Sequence, residues 1–425
     1  MIHVTRIILD VIYFISLYYA VFWLLTYLEE KPKEERKRSF KSWPKVSVII
    51  PMYNEEENIK GTIESICNID YPSDKLKIFV VDDGSKDQSL SIAEETMQEE
   101  KRKNPLLNIN ILHQENQGKF AAINTALEKT TSPFFATLDA DSFPNKNALK
   151  NLLKEFTTKK VAAVSPILKI KNPKSLVEKL QWFEYAINYF YKSIIALRNA
   201  IHVSPGPLTV YRTEIVKNVG GFKEGHKTED MELALRLQSK HYEIKQCEVA
   251  VVYTKAPSTL KSLLKQRIRW NLGSMRNIFD YSKMLFNKKY GDFGLFQLPM
   301  IPMAGILSVG LLGLLIFNSR EQIKRYFLVL KTYQFNIFEY ISDSWANFTT
   351  QFWFLNLNLK SIVMIGVFFS VSIFILYKGL KLFNEKIQKS KPALVTYVFL
   401  YYFFLAGVWL LVFKDLILKR DVKWK

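Results

Sequence analysis

The stretch "KIFVVDDGSKDQS", residues 77–89, decides how this chain is read. Ile78, Phe79, Val80 and Val81 are apolar without alternation, the mark of a strand buried on both faces. The acids, glycine and serine that follow end it in a polar turn. Working outward, the same grammar recurs in "VSVIIP" (46–51), "NINILH" (108–113) and "PFFATLD" (133–139). Helical patterns near 58–67, 90–101 and 119–127 separate these runs. Repeated strand–helix units define an α/β domain with a mostly parallel sheet. Ligands of such sheets bind beyond the carboxyl ends of the strands, so the chemistry is sought there.

The four runs are flanked by "PMYNEEENI", "VVDDGSKDQS", "ENQGKFAAIN" and "LDADSF". Any one of these is ordinary turn chemistry, because Asp, Asn, Gly and Ser favour turns for local reasons. Together, on one edge of one sheet, they describe a site for a nucleotide diphosphate. Asp139 and Asp141 offer hard oxygen ligands suited to Mg²⁺ or Mn²⁺, which binds through one or two carboxylates plus substrate phosphates. Lys119, after Gly118, brings a point charge to the diphosphate. Asp83 is placed to accept hydrogen bonds from a nucleobase edge or a ribose. The first strand end adds Pro51, Tyr53, Asn54 and Glu55 to the expected nucleotide contacts. No GxxxxGK[ST] is present, which argues against a P-loop NTPase.

Composition adds a membrane. Apolar residues make up 48% of the chain and aromatics 14%, and four long apolar runs occupy 7–28, 298–317, 361–377 and 393–413. Each has about the length a bilayer core demands. The first is too long for the apolar region of a cleaved signal and lacks a small-residue cleavage site. The net charge of +19 is crowded next to these runs, at 31–41, 378–391 and 414–425. That placement fits an anionic leaflet rather than nucleic acid, for which no motif is present. Cys67 and Cys247 stand far apart without CxxC spacing, implying neither disulfide nor zinc.

Three later stretches sharpen the reading: "SPGPLTVYR" (204–212), "HKTEDMELALRL" (226–237) and "LLKQRIRWNLGS" (263–274). A helix places Gln266, Arg269 and Trp270 on one side. An interfacial helix explains Arg267, Arg269 and Trp270 but does not call for Gln266. "TED" alone also reads as a helix start with Thr228 as N-cap and acids in the first turn. In this order the set resembles the inverting family-2 glycosyltransferases of GT-A fold. Within them it resembles the membrane-embedded processive branch that includes hyaluronan, chitin, cellulose and poly-N-acetylglucosamine synthases. The resemblance covers about residues 46–275, with "QWFEY" (181–185) similar to a segment that rests on the membrane.

The resemblance implies a Rossmann-like, mostly parallel GT-A domain, cytosolic and embedded in an α-helical transmembrane region. Its expected parts are an N-terminal transmembrane helix (1–28), a basic hinge (29–45) and the GT-A domain (46–257). QxxRW interfacial helices (258–295), a C-terminal transmembrane region (296–413) and a basic cytoplasmic tail (414–425) follow. It implies Asp230 as catalytic base, with Glu229 the alternative. It implies an acceptor site of Gly206, Pro207, Gln266, Arg269 and Trp270, Trp270 stacking on the sugar and Arg269 steadying the departing diphosphate.

The expected activity is transfer from a nucleotide diphospho-sugar, such as UDP-GlcNAc or UDP-Glc, to a growing β-linked glycan exported through the plasma membrane. The alternative is non-processive transfer of one sugar to a polyprenyl-phosphate lipid or membrane glycan. Membrane lipid is an expected partner, and an accessory membrane subunit stays open. Six basic residues in 31–41 against Arg6 alone put that side of the first run inside. Three straight spans would then leave the basic tail outside. The expectation is therefore a bend near Gly407 that returns the tail to the cytoplasm, with 318–360 outside.

Overall fold

The computed structural model describes residues 2–29, 39–346, 359–384 and 390–420. A long helix, α1 (Ile2–Glu29), precedes the sheet domain. There β1 (Val46–Met52), α2 (Ile59–Cys67), β2 (Leu76–Asp82), α3 (Ser89–Lys103), β3 (Asn108–His113) and α4 (Lys119–Glu128) alternate. Next come β4 (Phe134–Thr137), β5 (Ser142–Pro144), α5 (Ala148–Lys154), β6 (Val161–Ile170) and α6 (Leu176–Leu197). The domain closes with β7 (Thr209–Arg212), α7 (Thr213–Asn218), α8 (Glu229–Ser239) and β8 (Glu243–Thr254).

The sheet order is β3-β2-β1-β4-β7-β6-β8-β5. Its first half is parallel, with Val48 of β1 beside both Ile78 of β2 and Ala136 of β4. The second half is mixed, because β7 runs antiparallel to both β4 and β6. Every residue of β1 is buried, as the unalternating apolar runs require when both faces are covered. One face packs Ile59, Ile63 and Ile66 of α2 and Leu149, Leu152 and Leu153 of α5. The other packs Ala122, Ile123 and Ala126 of α4 and Leu233, Leu235 and Leu237 of α8. Full burial of such a side chain stabilises by roughly 1.5–3 kcal/mol, so this layering fixes the strand ends firmly. Cys67 and Cys247 are both free thiols.

Helix α6 opens with a reciprocal cap. The Ser175 hydroxyl accepts from the Glu178 amide at 3.1 Å, and the Glu178 carboxylate accepts from the Ser175 amide at 2.7 Å. Beyond the sheet lie α9 (Leu260–Asp280), α10 (Leu298–Thr332), α11 (Ile337–Ala346), α12 (Leu359–Phe383), α13 (Lys391–Phe399) and α14 (Tyr401–Ile417). Three helical stretches, Ile7–Glu29, Phe293–Arg320 and Ile362–Phe383, are long and apolar enough to cross a membrane; α13 and α14 together pass the same test across a 47° bend.

Two expectations are corrected. The bend falls at Leu400, not Gly407, which lies inside α14. One glycine costs a helix only about 1 kcal/mol, too little to set a break. The start of α14 is instead tied down by Tyr401, whose hydroxyl donates to Glu184 at 2.8 Å. Helix α10 also does not end with its apolar run at 317, since it continues to Thr332 and α11 follows. Most of the expected hinge (30–38) and the end of the tail (421–425, with Trp424) lie outside the described residues.

Candidate active site

The loops after β1 and β2 are knitted together. The Asn54 amide donates to Ser85 Oγ at 3.0 Å, the Lys86 amide to Asn54 Oδ1 at 2.8 Å, and the Glu55 amide to Ser89 Oγ at 2.6 Å. Asn54 takes φ 54°, a conformation Asn tolerates better than most residues. Tyr53 is exposed beside them, whereas Pro51 is buried within β1 opposite Val81. Pro51 thus moves from the expected ligand surface into the sheet.

Asp83 is 3% exposed. It accepts from Gln114 Nε2 at 2.8 Å and from the Gln117 and Gly118 amides at 3.0 and 2.9 Å. Those bonds use three of about four lone-pair directions on an ionised carboxylate. The work of Asp83 here is to hold the 114–118 loop. Receiving a nucleobase, as expected of it, leaves it about one direction.

That loop delivers Lys119. Gly118 at φ 94° turns the chain into α4, and Lys119 opens the helix. Its Nζ lies 2.7 Å from Asp139 Oδ1 and 3.1 Å from Glu229 Oε1. One lysine therefore bridges the "DAD" of β4 to the "TED" of α8, segments some ninety residues apart in sequence. Burial works against its charge, but Asp139, Glu229 and Asp230 outweigh this and hold Lys119 above its ordinary value. The Asp139 contact is thus a close ion pair made at a buried carboxylate oxygen.

Gly206 explains why this pair fits. A Cβ there would sit 2.4 Å from Asp139 Oδ1 and 2.7 Å from Lys119 Nζ. Thr137 Oγ1 donates to the Gly206 carbonyl at 2.8 Å, and buried Leu208 takes φ 53° to carry the chain past. Such a φ costs a bulky residue on the order of 1–3 kcal/mol, and strain of this kind clusters at working sites. Pro207 is buried beside Gly206. Gly206→Ala should lower turnover by about 10–100-fold, since a displacement near 1 Å is that costly to aligned groups. Its melting temperature should stay close to the parent's, because the displaced atoms end flexible side chains. Unchanged turnover would detach Gly206 from the site.

The two carboxylates of "TED" are driven apart. Burial alone would raise Glu229, but Lys119 and then Arg269 hold it below the usual range. Burial, then the charge of Glu229, pushes Asp230 up to about 6. Asp230 Oδ1 accepts the Met231 amide at 2.8 Å. A carboxyl near 6 beside one that stays ionised is the pattern of an assigned proton acceptor. Thr228 stands in the N-cap position of α8, yet its hydroxyl makes no capping bond. It donates to the Gly225 carbonyl at 2.8 Å and accepts from Asn277 Nδ2 at 2.8 Å. The helix does start at Thr228 with acids in its first turn, as expected, but the Thr228 hydroxyl serves as a fastening to α9 instead of a cap.

Helix α9 makes that fastening with one face. Arg269 Nη1 donates to the Lys227 carbonyl at 3.0 Å, and Asn277 Nδ2 to the Gly225 carbonyl at 2.9 Å. Between them, a Cβ on Gly273 would come within 2.7 Å of Thr228 Oγ1. Arg269, Gly273 and Asn277 recur every four residues, a stripe legible in the sequence. The same helix meets α6 through Arg267. Its guanidinium pairs with both oxygens of Glu184, donates to Gln266 Oε1 at 2.6 Å and lies 4.4 Å over the Trp270 ring.

Asp139 and Asp141 lie near Glu55 at the end of β4. Burial first, then the charges of Asp139 and Glu55, push Asp141 up to about 6. Among the described residues no cluster of three or more His, Cys, Asp and Glu is arranged to hold a metal by itself.

With this geometry in hand, the chain can be compared with known proteins. The model for glycosyl transferase family group 2 matches residues 134–410, and that for glycosyl transferase family 2 matches 47–220. The chain belongs to the family-2 glycosyltransferases. Poly-beta-1,6-N-acetyl-D-glucosamine synthase of Staphylococcus epidermidis is 27% identical over 270 residues, 61% of this chain and 64% of that one. Its Staphylococcus aureus counterpart is 26% identical over 284 residues, 64% and 67% respectively. The chain thus spans a little under two thirds of the S. epidermidis relative. Among solved structures, the mannosyltransferase PcManGT of Pyrobaculum calidifontis, in complex with GDP-Man and Mn²⁺, covers 99% of this chain and 100% of its own. Its TM-score is 0.58 at 20% identity, a likeness of fold.

Proposed function

We propose that this chain is a membrane-embedded inverting glycosyltransferase that extends a β-linked polysaccharide from a nucleotide diphospho-sugar and passes the product into the membrane. The observation that carries the reading is the position of Lys119, between Asp139 on the donor side and Glu229 beside Asp230 on the acceptor side. A UDP-sugar, UDP-N-acetylglucosamine first, is the donor favoured by the two staphylococcal relatives named for that polymer.

In the reaction, the acceptor hydroxyl attacks the anomeric carbon as the bond to the diphosphate breaks. Asp230 takes the hydroxyl proton, and Lys119 offsets charge on the leaving diphosphate. Glu229 stays ionised as the partner of Lys119. The "DAD" carboxylates suit a divalent cation: all their donor atoms are hard oxygens, and Asp141 is crowded by like charge. Asp139 and Asp141 would hold Mg²⁺ or Mn²⁺, which supplies positive charge to the diphosphate when bound. Trp270 and Gln266 form the acceptor platform, and Arg269 fastens that platform to the loop before Asp230.

Purified protein in lipid nanodiscs, incubated with a panel of radiolabelled nucleotide sugars, tests the function, and sizing the product tests processivity. Polymer from one UDP-sugar is the expected result. Single-sugar transfer to extracted lipid would favour the non-processive alternative, and turnover undiminished by EDTA would remove the cation. Trp270→Ala should raise the acceptor KM at least tenfold and leave donor hydrolysis within twofold, because stacking holds the acceptor and not the nucleotide. Equal loss of both would return Trp270 to an interfacial anchor.

The catalytic domain is assigned to the cytoplasmic side, where nucleotide sugars are made, with several spans crossing the plasma membrane. Cysteines placed at Ser344 and Asp421, in a chain lacking Cys67 and Cys247, check this with an impermeant thiol reagent on intact cells. Labelling at 344 alone is expected; labelling at 421 without permeabilisation would invert the topology of the tail.

A further inference from the structure

In helix α6 the stretch "LQWFEYAINYFY" (180–191) carries a single charged residue, Glu184. A carboxylate there demands a partner, since an unpaired buried charge is expensive. The partner is Arg267 of α9, whose side chain is 4% exposed against 12% for Glu184. Arg267 Nε donates to Glu184 Oε1 at 3.2 Å and Nη2 donates to Oε2, the two-pronged geometry that locks a guanidinium plane. The Tyr401 hydroxyl, at the first residue of α14, donates to the same Oε2 at 2.8 Å. With its fork fixed, Arg267 has two further contacts, the Gln266 carbonyl oxygen at 2.6 Å and the Trp270 ring face at 4.4 Å.

We infer that Glu184 is the positioning residue of the acceptor platform, setting the indole of Trp270 and the amide of Gln266 through Arg267. This rests on the reading of Trp270 as the acceptor-stacking residue. The consequences are specific. Arg267 covers one face of the half-buried indole and fixes its tilt, so a sugar has the other face to stack on. Arg267 also occupies the carbonyl oxygen of Gln266, so Gln266 turns its NH₂ group, a donor, toward any acceptor hydroxyl. Because Tyr401 holds Glu184 as well, the platform is braced against the segment that bends at Leu400. Glu184 touches no reacting atom in this scheme, and its effect travels through Arg267.

The test uses the full chain in nanodiscs with UDP-N-acetylglucosamine, or whichever donor the panel selects, and a β-linked tetramer of the same sugar as acceptor. Glu184→Gln keeps shape and removes the charge. Its acceptor KM should rise tenfold or more, with donor KM and donor hydrolysis within twofold. In the Trp270→Ala background, Glu184→Gln should add no more than about threefold to the acceptor KM, because only the Gln266 branch of its action is left. If Glu184→Gln fails to fold, Tyr401→Phe and Arg267→Lys replace it. Tyr401→Phe should raise the acceptor KM about two- to threefold. Arg267→Lys, which keeps a charge for Glu184 but loses the fork and the flat stack, should match the tenfold rise.

Should Trp270→Ala raise the acceptor KM while Glu184→Gln, or its replacements, leave it unchanged, the positioning inference falls and the acceptor platform stands. Full multiplication of the two effects in the double variant would also overturn it, since Glu184 would then act independently. Parallel loss of donor hydrolysis and transfer would reduce Glu184 to a structural ion pair. Should Trp270→Ala itself spare the acceptor KM, the platform reading fails first and takes this inference with it.

Discussion

Asp230→Asn is expected to bind the nucleotide sugar as the parent does and to transfer the sugar at least a hundredfold more slowly. General-base catalysis contributes about 10²–10⁴-fold, and the amide keeps the shape while losing the proton-accepting oxygen. The environment says why the loss falls here and not on Glu229. Lys119 lies 3.1 Å from Glu229 and holds it ionised as a partner, whereas burial and the charge of Glu229 lift Asp230 to about 6. A base must be deprotonated to act, so transfer should rise as pH passes upward through about 6 and then level off. Glu229→Gln removes the charge that raises Asp230, so its profile should shift to lower pH. It also strips Lys119 of one carboxylate, so its rate should fall as well. Loss of donor binding in Asp230→Asn would make Asp230 structural, and an unshifted profile in Glu229→Gln would break the coupling between the pair.

How far these groups could be read from the sequence depends on what each depends on. Strands β1, β2 and β4 were legible because a strand buried on both faces is written as an unbroken apolar run, whereas β3, read as buried too, is a half-exposed edge strand of alternating Asn and Ile. The strand-end clusters were legible for the related reason that parallel sheets send their loops to one edge. The mixed half of the sheet was not, since β7 is four residues long and its antiparallel setting between β4 and β6 is a tertiary choice. Asp83 was legible as important and not as a loop anchor, because its three donors come from 114–118 and no local pattern announces them. Arg267 and Glu184 were hidden differently. A basic residue among other basic residues near a membrane reads as an interfacial charge, and only the fold shows it buried under Trp270. Gly407 misled because glycine is the visible weak point of a helix, while the break follows the tether of Tyr401 to Glu184.

Asp139→Asn and Asp141→Asn should each reduce turnover by a thousandfold or more, and they should do so with opposite effects on the metal-free protein. Both remove an anionic oxygen from the pair that would hold the cation, and an amide oxygen is a poor substitute in a site of one or two carboxylates. Asp139 is also the counter-charge 2.7 Å from Lys119. Its loss leaves a largely buried ammonium leaning on Glu229, so Asp139→Asn should melt lower than the parent. Asp141 is in the contrary position. Burial, Asp139 and Glu55 push it up to about 6, so its ionised form is a strain on the empty site at neutral pH. One pKa unit is about 1.4 kcal/mol, which puts that strain on the order of 1–3 kcal/mol. A carboxyl raised in the folded state costs stability as pH climbs from its unfolded value to its folded one. Chelated Asp141→Asn should therefore melt higher than the chelated parent at pH 7.5, with the gap closing below about pH 4 where both are neutral. Added Mn²⁺ should raise the melting temperature of the parent and leave Asp141→Asn unmoved. If instead the chelated Asp141→Asn protein melts lower than the parent at pH 7.5, the crowding of Asp139, Asp141 and Glu55 is not the source of the site's appetite for a cation, and the "DAD" segment returns to turn chemistry.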